Sequence, residues 1–231
     1  MSFMRKVFND LQLSIIGIID ANRIARIINI DRFHENKNII KEAYTDYVNS
    51  ISSEDMALSL STAAFCKTLI EKIKPKSILD LGSGFSSYVF RSYSEKNECS
   101  VTSVDTSETW LQRTTQYLQR NRLNIDNLIS WDDFINLSKD KKFDFILHDI
   151  GDIEMKLRTE SLPLITKAVN ASGMILLDDM HKTRFRPYAY KCMKTYGFKI
   201  YSARKYTLDT YGRFSAIAIC GGPGALDNFS V

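Results

Sequence analysis

The sequence predicts an α/β fold with a mostly parallel sheet and helices on both faces of it. Three observations lead to this prediction. The stretch 77–90 reads as a buried strand, a turn with Gly82 and Gly84, and the start of a helix. Further strand patterns alternate with helical patterns, and each connection is long enough for a right-handed crossover. Polar residues cluster where the strand patterns end, and ligands bind at that edge of open α/β sheets.

The elements follow in order along the chain. Residues 1–50 read as helices, and a third helix is expected to begin with Ser52 as its cap and to end at Pro75. Strand patterns are found at 77–81, 99–105, 128–131, 142–149, 173–181, 198–206 and 214–220. Helical patterns between them are found at 107–120, 154–169 and 187–196. The last two strands are joined by the turn-forming segment 209–212, which indicates a hairpin-like end.

Length and hydropathy indicate two segments. The 231 residues suit one domain of about 150 to 200 residues with an appendage. We expect a helical lid or dimerisation extension at 1–52 and the main domain at 53–231. In the extension, Leu11, Ile15, Ile18 and Ile19 share one helix face, which favours packing on a core or in a homodimer. Binding of this face to a membrane surface is the alternative, but no apolar run has the roughly 20 residues of a membrane span.

Charge and cysteine content exclude several classes of protein. The net charge of +4 is far from that of a dedicated nucleic-acid binder, so no nucleic-acid partner is expected. The four cysteines are widely separated and form no C-x-x-C pair, so neither a zinc site nor a disulfide scaffold is indicated. A cytoplasmic location is the simplest expectation.

The turn after the first strand indicates the type of ligand. A dinucleotide-binding turn has a third glycine where this chain has Ser87. The carboxylate of Asp80 would repel a pyrophosphate but attract an ammonium group. The pattern of Asp80, Gly82 and Gly84, with Ser83 between the glycines, resembles motif I of the class I S-adenosylmethionine-dependent methyltransferases. The resemblance covers roughly residues 55–220 and implies a Rossmann-like, seven-stranded sheet with a terminal antiparallel hairpin and S-adenosylmethionine as cofactor.

Three further residues are candidates for binding this cofactor. Asp105 ends the second strand 21 residues after Gly84, close to the spacing of about 20 residues at which a strand-end carboxylate binds ribose hydroxyls. Trp131 and Asp132 follow the third strand, where the resemblance implies contacts with the adenine ring and its amine. A core tryptophan beside a helix-capping aspartate explains the same two residues equally well.

Three carboxylates follow the next two strands. Asp149 ends the fourth strand, and Asp178 and Asp179 end the fifth. Oxygen ligands suit Mg²⁺, which would orient an acceptor hydroxyl and lower its pKa. The arrangement resembles the metal-dependent O-methyltransferases of the catechol and macrolide-sugar type, and this resemblance implies that these three residues hold the ion. Strand-end acids also occur as helix caps and loop anchors, so a structural role stays open.

The general base has two candidates, Asp152 and His181. Asp152 stands where the catechol type has a lysine, and the macrolide-sugar type uses a nearby Asp. His181 follows the fifth strand and has an unperturbed pKa suited to proton transfer near neutrality. We also expect Asp149 to face the acceptor. His148, within a strand pattern, is at least as well explained as a structural histidine.

These expectations lead to a functional hypothesis. The chain is expected to be an S-adenosylmethionine-dependent methyltransferase that acts on a small molecule, at a hydroxyl group. Methyltransferases of nucleic acid or protein, aminopropyl-type transferases and non-catalytic cofactor-binding subunits are the alternatives. No Asn-Pro-Pro-Tyr or Asp-Pro-Pro-Tyr element follows the fourth strand, which weakens the nucleic-acid amino-methylase alternative.

Overall fold

A computed structural model describes residues 3–137, 141–151, 155–221, 226 and 229, apart from the side chains of 3–10, 12 and 137. The helices are α1 Phe3–Ile24, α2 Ile30–Ser50, α3 Leu60–Ile73, α4 Phe85–Ser94, α5 Glu108–Arg120, α6 Trp131–Leu137, α7 Lys156–Glu160, α8 Leu162–Ala168, α9 Phe185–Thr195 and α10 Arg204–Thr207. The strands are β1 Ser77–Leu81, β2 Ser100–Asp105, β3 Leu128–Ser130, β4 Phe143–His148, β5 Val169–Leu177, β6 Phe198–Ser202 and β7 Ala216–Cys220.

The strands form one seven-stranded sheet in the order β3-β2-β1-β4-β5-β7-β6. The first five strands are parallel, and β7 runs antiparallel to both β5 and β6. Buried apolar side chains form one core on each face of this sheet. The predicted α/β fold with a terminal antiparallel hairpin is therefore confirmed. Within the described ranges, no helix combines the length and the apolar character of a membrane span.

The third helix begins later than the sequence indicates. It starts at Leu60, and its cap is Ser59, whose Oγ accepts a hydrogen bond from the Thr62 amide at 3.1 Å. Ser52, the predicted cap, precedes a turn, so that prediction is wrong. The single helix predicted at 154–169 is likewise divided into α7 and α8, because Pro163 lies in the first turn of α8 and cannot continue the preceding helix.

The segment 52–58 is held by a distant arginine instead of entering the helix. The Arg213 guanidinium donates hydrogen bonds to the backbone oxygens of Glu54 at 2.8 Å, Asp55 at 2.7 Å and Ala57 at 3.0 Å. Three backbone carbonyls satisfied in this way offset the helical hydrogen bonds that the segment gives up. A contact across 156 residues thus overrides the local helix signal.

The two N-terminal helices pack on different parts of the sheet domain. Helix α1 is attached at β6, where the Asp20 carboxylate accepts a hydrogen bond from the Ser202 amide at 2.8 Å. Helix α2 packs along α3 through a partly buried network that joins Arg32 and Asn36 to Glu71. Both helices contribute to the core on one face of the sheet. The division of the chain into a helical extension at 1–52 and a main domain at 53–231 stays a prediction.

Candidate active site

The carboxyl ends of four neighbouring strands are joined by backbone hydrogen bonds. The Gly82 amide donates to Val104 O at 2.9 Å, and the Asp149 amide donates to Leu81 O at 2.8 Å. The Asp178 amide donates to His148 O at 3.0 Å. These bonds extend the parallel ladder beyond β2, β1, β4 and β5, so the residues after each strand lie side by side at the usual strand spacing of about 4.8 Å.

The glycine turn packs closely against its surroundings at both of its glycines. Gly82 has a φ of +102°, and a Cβ there would lie 2.8 Å from the backbone oxygen of Asp149. A Cβ at Gly84 would lie 3.0 Å from the hydroxyl oxygen of Tyr47, which α2 contributes. The turn is therefore enclosed between the end of β4 and an N-terminal helix, and only glycine meets both the φ angle and the contact at position 82.

Asp80 lies beneath the turn and is fully buried. Its Oδ2 accepts hydrogen bonds from Ser87 Oγ at 2.6 Å and Ser103 Oγ at 2.9 Å, and Ser87 Oγ in turn accepts one from the Gly84 amide at 3.2 Å. Burial raises the pKa of Asp80 to about 6, although these hydrogen bonds and the charge of Arg91 favour the ionised form. Asp80 thus ties β1 to α4 and β2 and fixes the shape of the turn from below.

Asp105 lies beside the turn, as the spacing predicts. Its Oδ2 accepts hydrogen bonds from the Ser83 amide at 2.9 Å and Ser83 Oγ at 3.0 Å, and its Oδ1 accepts one from the Ser107 amide at 3.0 Å. Partial burial raises its pKa, and these hydrogen bonds oppose that rise. A carboxylate has about four acceptor positions, so Asp105 retains capacity for hydroxyl groups of a ligand.

One cavity of about 730 Å³ runs along this edge of the sheet. At one end it is lined by Ser83, Gly84, Asp105 and Trp110. At the other end it is lined by Asp149, Arg158, Asp178, Asp179 and His181. The two groups of residues therefore face the same volume, which is within the range of about 300 to 1,000 Å³ for small-molecule sites.

The three strand-end carboxyl groups differ in their charge states. Burial, reinforced by Asp178, raises the pKa of Asp149 well above its usual value, and burial together with Asp179 raises that of Asp178. Burial also acts on Asp179, but Arg158 and Lys182 outweigh it and lower the pKa of that carboxyl. Of the three, Asp179 therefore most favours its ionised form, whereas burial disfavours the ionised forms of Asp149 and Asp178.

A guanidinium lies inside this acidic cluster. Arg158 Nη2 is 3.1 Å from Asp179 Oδ2 and 3.4 Å from Asp149 Oδ1, and it donates to the backbone oxygen of Asp149 at 3.1 Å. In the ranges that the structure covers, no three acidic, histidine or cysteine side chains are grouped as metal ligands. The residues present do not fit Mg²⁺, because a fixed cation already contacts two of the three carboxyl groups predicted to hold it. The predicted metal site is not supported.

Comparison with known proteins agrees with this geometry. Residues 53–149 match the family model described as the methyltransferase small domain. None of the curated proteins compared with the chain matches it. The match to the family model identifies a methyltransferase domain in this part of the chain, and the fold is that of solved methyltransferases. The family match and the fold together indicate an S-adenosylmethionine-dependent methyltransferase.

Solved structures with this fold act at more than one kind of atom. An assigned caffeoyl-CoA O-methyltransferase of Staphylococcus aureus is 22% identical with a TM-score of 0.58, covering 80% of this chain and 92% of its own. An O-methyltransferase of Bacillus cereus in complex with SAH is 16% identical with a TM-score of 0.56, covering 83% and 91%. A precorrin-6y C5,15-methyltransferase of Geobacter metallireducens is 14% identical with a TM-score of 0.54, covering 72% and 91%. These similarities establish the fold of the methyltransferase domain and leave its acceptor open.

Not all residues predicted to bind the cofactor line the cavity. Asp80 lies below it, and neither Trp131 nor the exposed Asp132 is among its lining residues. Trp131 packs on Phe134, with 5.8 Å between ring centroids, in the manner of a core tryptophan. The aromatic residues that do line the cavity are Tyr47, Phe85 and, on α5, Trp110. A direct contact of Trp131 and Asp132 with the cofactor stays a prediction.

The candidate bases have different environments in the methyltransferase domain. His148 is fully buried, hydrogen-bonded to Ser161 Oγ at 2.8 Å and stacked on Phe185, and burial lowers its pKa to about 3. It is a structural histidine. His181 lines the cavity, with its Nδ1 3.5 Å from Asp179 Oδ1. Asp152 lies outside the described residues.

Sequence reasoning missed Arg158, although a signal was present. Arg158, Leu162 and Ile165 are spaced as one face of a helix, and all three are buried. An arginine on an otherwise apolar helix face indicates a buried partner of opposite charge. Trp110 and Arg213 have no comparable signal, because their roles depend on contacts between distant elements.

A second cavity, of about 890 Å³, lies between α2, α3 and α4. It is remote from the carboxyl ends of the strands, and two of its charged residues, Arg32 and Glu71, pair with one another at 2.8 Å. It is therefore not the site toward which the motifs of the methyltransferase domain converge.

The close approach at Gly82 leads to a testable prediction. We expect Gly82→Ala to lower the free energy of unfolding, measured by urea denaturation, by about 1 to 3 kcal/mol more than Gly197→Ala does. Gly197 is the matched control because its φ is also positive, at +80°, but a Cβ there meets nothing within 4 Å. Both variants share the backbone strain, so their difference measures the clash with Asp149 O. Equal losses in the two variants would contradict the enclosed geometry of the turn.

Proposed function

We propose that this methyltransferase transfers a methyl group from S-adenosylmethionine to a hydroxyl group of a small-molecule acceptor. The observation that carries the proposal is the arrangement of the cavity of about 730 Å³. The glycine turn and Asp105 line one end, and a histidine beside an ionised carboxylate lines the other. Cofactor and acceptor can therefore meet within one cavity, as an in-line displacement requires.

The chain offers suitable partners for each part of the cofactor. The amino end of α4 presents the backbone amides of its first residues and a positive helix-dipole end to the carboxylate of the amino-acid moiety. Asp105 retains acceptor capacity for ribose hydroxyls. When bound, S-adenosylmethionine supplies an electrophilic methyl group on its sulfonium. The turn and Asp105 orient it.

At the other end, His181 is the proposed general base. Burial lowers its pKa, as do Lys182 and Arg213, whereas Asp179 and Asp209 oppose this shift. The imidazole is therefore neutral at pH 7 and can accept the proton of an acceptor hydroxyl. The negative charge of Asp179, with Oδ1 3.5 Å from Nδ1, stabilises the imidazolium that forms. Removal of this proton makes the acceptor oxygen a better nucleophile.

The size and covering of the cavity favour a small acceptor. Met56, Ala57 and Leu58 line it and belong to the segment that Arg213 holds by three backbone carbonyls. A segment held in this way helps to exclude water from the reacting groups. The similar O-methyltransferase structures are consistent with oxygen as the acceptor atom. Because Arg158 lies among the carboxylates, we include no divalent ion in the proposal.

The role of Asp105 can be tested by calorimetric titration with S-adenosylhomocysteine. We expect Asp105→Asn to weaken binding by about 1 to 3 kcal/mol, because it removes a charged acceptor of ribose hydrogen bonds. Asp144→Asn is the matched control. Asp144 also accepts several hydrogen bonds, from the amides of Lys76 and Ser77 and from Asn170, but at the opposite edge of the sheet. Unchanged affinity in Asp105→Asn, or an equal loss in both variants, would contradict the assignment.

The role of His181 can be tested by screening small phenols and alcohols and measuring formation of S-adenosylhomocysteine. With an acceptor found in this way, His181→Gln should lower kcat by about 10²-fold or more, with little change in cofactor affinity. Wild-type activity should rise with pH and level off below about pH 6.5, since the pKa of His181 is lowered from that value. This rise should be absent from the variant.

His34→Gln is the control for this experiment. His34 is exposed on α2 and is not among the residues that line the cavity, so its replacement should leave the rate and its pH dependence unchanged. A His181→Gln enzyme with the wild-type pH profile would refute the proposed base. Asp152, predicted from the sequence, would then be the next residue to replace.

We also propose a cytoplasmic location, where the four free thiols of the chain stay reduced.

We further propose that the chain forms a homodimer through α1. Leu11, Ile15 and Ile18 are 57%, 51% and 61% exposed and lie on one helix face. Ile18→Glu should shift sedimentation from dimer to monomer, because a charge would be buried between the helices. Ile39→Glu is the control, since Ile39 is 55% exposed on α2. A wild-type chain that is monomeric at high concentration would refute the dimer.

A further inference from the structure

The side chain of Arg158 lies in a buried site that is suited to a cation. Its side chain is only 4% exposed, and its guanidinium lies over the Phe185 ring, with 5.6 Å between the guanidinium carbon and the ring centroid. A Cβ at Gly151 would lie 3.1 Å from Nη2, so the loop after β4 passes close to the guanidinium. Asp149 and Asp179 supply carboxylate oxygens on the side of the cavity. The site holds the arginine from several sides.

A divalent ion and this guanidinium would compete for the same oxygens. Mg²⁺ binds oxygen ligands at about 2.0 to 2.1 Å. Arg158 Nη2 is already 3.1 and 3.4 Å from oxygens of Asp179 and Asp149, two of the three carboxylates available. A guanidinium is charged at every physiological pH and is planar, which suits it to bind carboxylates in a buried setting. An ion could enter only if the arginine moved away and left its own charge buried without a partner.

We propose that Arg158 is a resident cation that takes the place of a divalent metal at the acceptor end of the cavity. It is a positioning residue. It neutralises part of the acidic cluster and holds the Asp179 carboxylate beside His181. The role in methyl transfer rests on the proposed function, whereas the exclusion of metal follows from the contacts of Arg158 alone.

The test measures Mn²⁺ binding by electron paramagnetic resonance, with S-adenosylhomocysteine present. We expect wild type to show no binding at millimolar Mn²⁺. In the Arg158→Ala variant the three carboxylates face one another without the guanidinium. This variant should bind Mn²⁺ at least about tenfold more tightly than wild type does. Addition of Mg²⁺ should raise its melting temperature to a matching degree. Arg158→Lys keeps a positive charge and should behave as wild type. Asp179→Asn in the Arg158→Ala background should abolish the new binding.

Two results would overturn the proposal. One is Mn²⁺ binding by wild type that Asp149→Asn or Asp179→Asn removes. The other is a folded Arg158→Ala chain that binds no Mn²⁺, since some other feature would then exclude the ion. If Arg158→Ala does not fold, Arg158→Gln, which keeps more of the side-chain volume, replaces it under the same criteria. Arg186→Ala is the matched control, because the Arg186 guanidinium donates only to the Met180 backbone oxygen among its described contacts. Binding of S-adenosylhomocysteine is recorded separately, so failure of the cofactor assignment would be distinguishable from failure of this proposal.

Discussion

The contact between Gly82 and the backbone of Asp149 is the constraint on which the rest of the site depends. The 2.8 Å separation of a hypothetical Gly82 Cβ from Asp149 O leaves no space for any other residue. This contact places the turn after β1 directly against the end of β4. Asp105, at the end of β2, accepts a hydrogen bond from the turn, and the Asp178 amide, after β5, donates one to His148 O at the end of β4. The two ends of the cavity are therefore connected through backbone hydrogen bonds. A shift of the turn would move both ends of the cavity together.

Below the turn, a buried polar network maintains this arrangement. Arg91 is almost fully buried and donates to Ser103 Oγ at 2.7 Å, and Ser103 Oγ donates to Asp80 Oδ2 at 2.9 Å. The carboxylate and the guanidinium are thus connected through one hydroxyl. Buried charges are tolerated only when they are hydrogen-bonded and paired, so each member of the network requires the others. The network explains how an acid that does not line the cavity can still determine the shape of the turn above it.

At the acceptor end of the cavity, buried charges also require partners, and here an arginine and a lysine supply them. Three carboxyl groups lie together, and electrostatic repulsion among them would be severe without compensation. Arg158 and Lys182 keep Asp179 ionised, while burial favours protonation of Asp149. An ionised carboxylate beside His181 suits the general-base role proposed for that residue, because it stabilises a protonated imidazole. The chain therefore obtains from its own side chains a distribution of charge that other sites obtain from a bound ion.

The sequence by itself determined the fold class, the seven strands, the glycine turn and the position of Asp105, because these depend on local periodicity and on the parallel register that follows from it. It also placed Asp149, Asp178 and Asp179 at one edge. Only the tertiary structure decided that a guanidinium from α7 lies between two of these acids, that Trp110 lines the cavity, and that Arg213 keeps residues 52–58 out of a helix. The physical reason is that each of these contacts joins segments far apart in the chain, and their energies depend on burial, which no local pattern specifies.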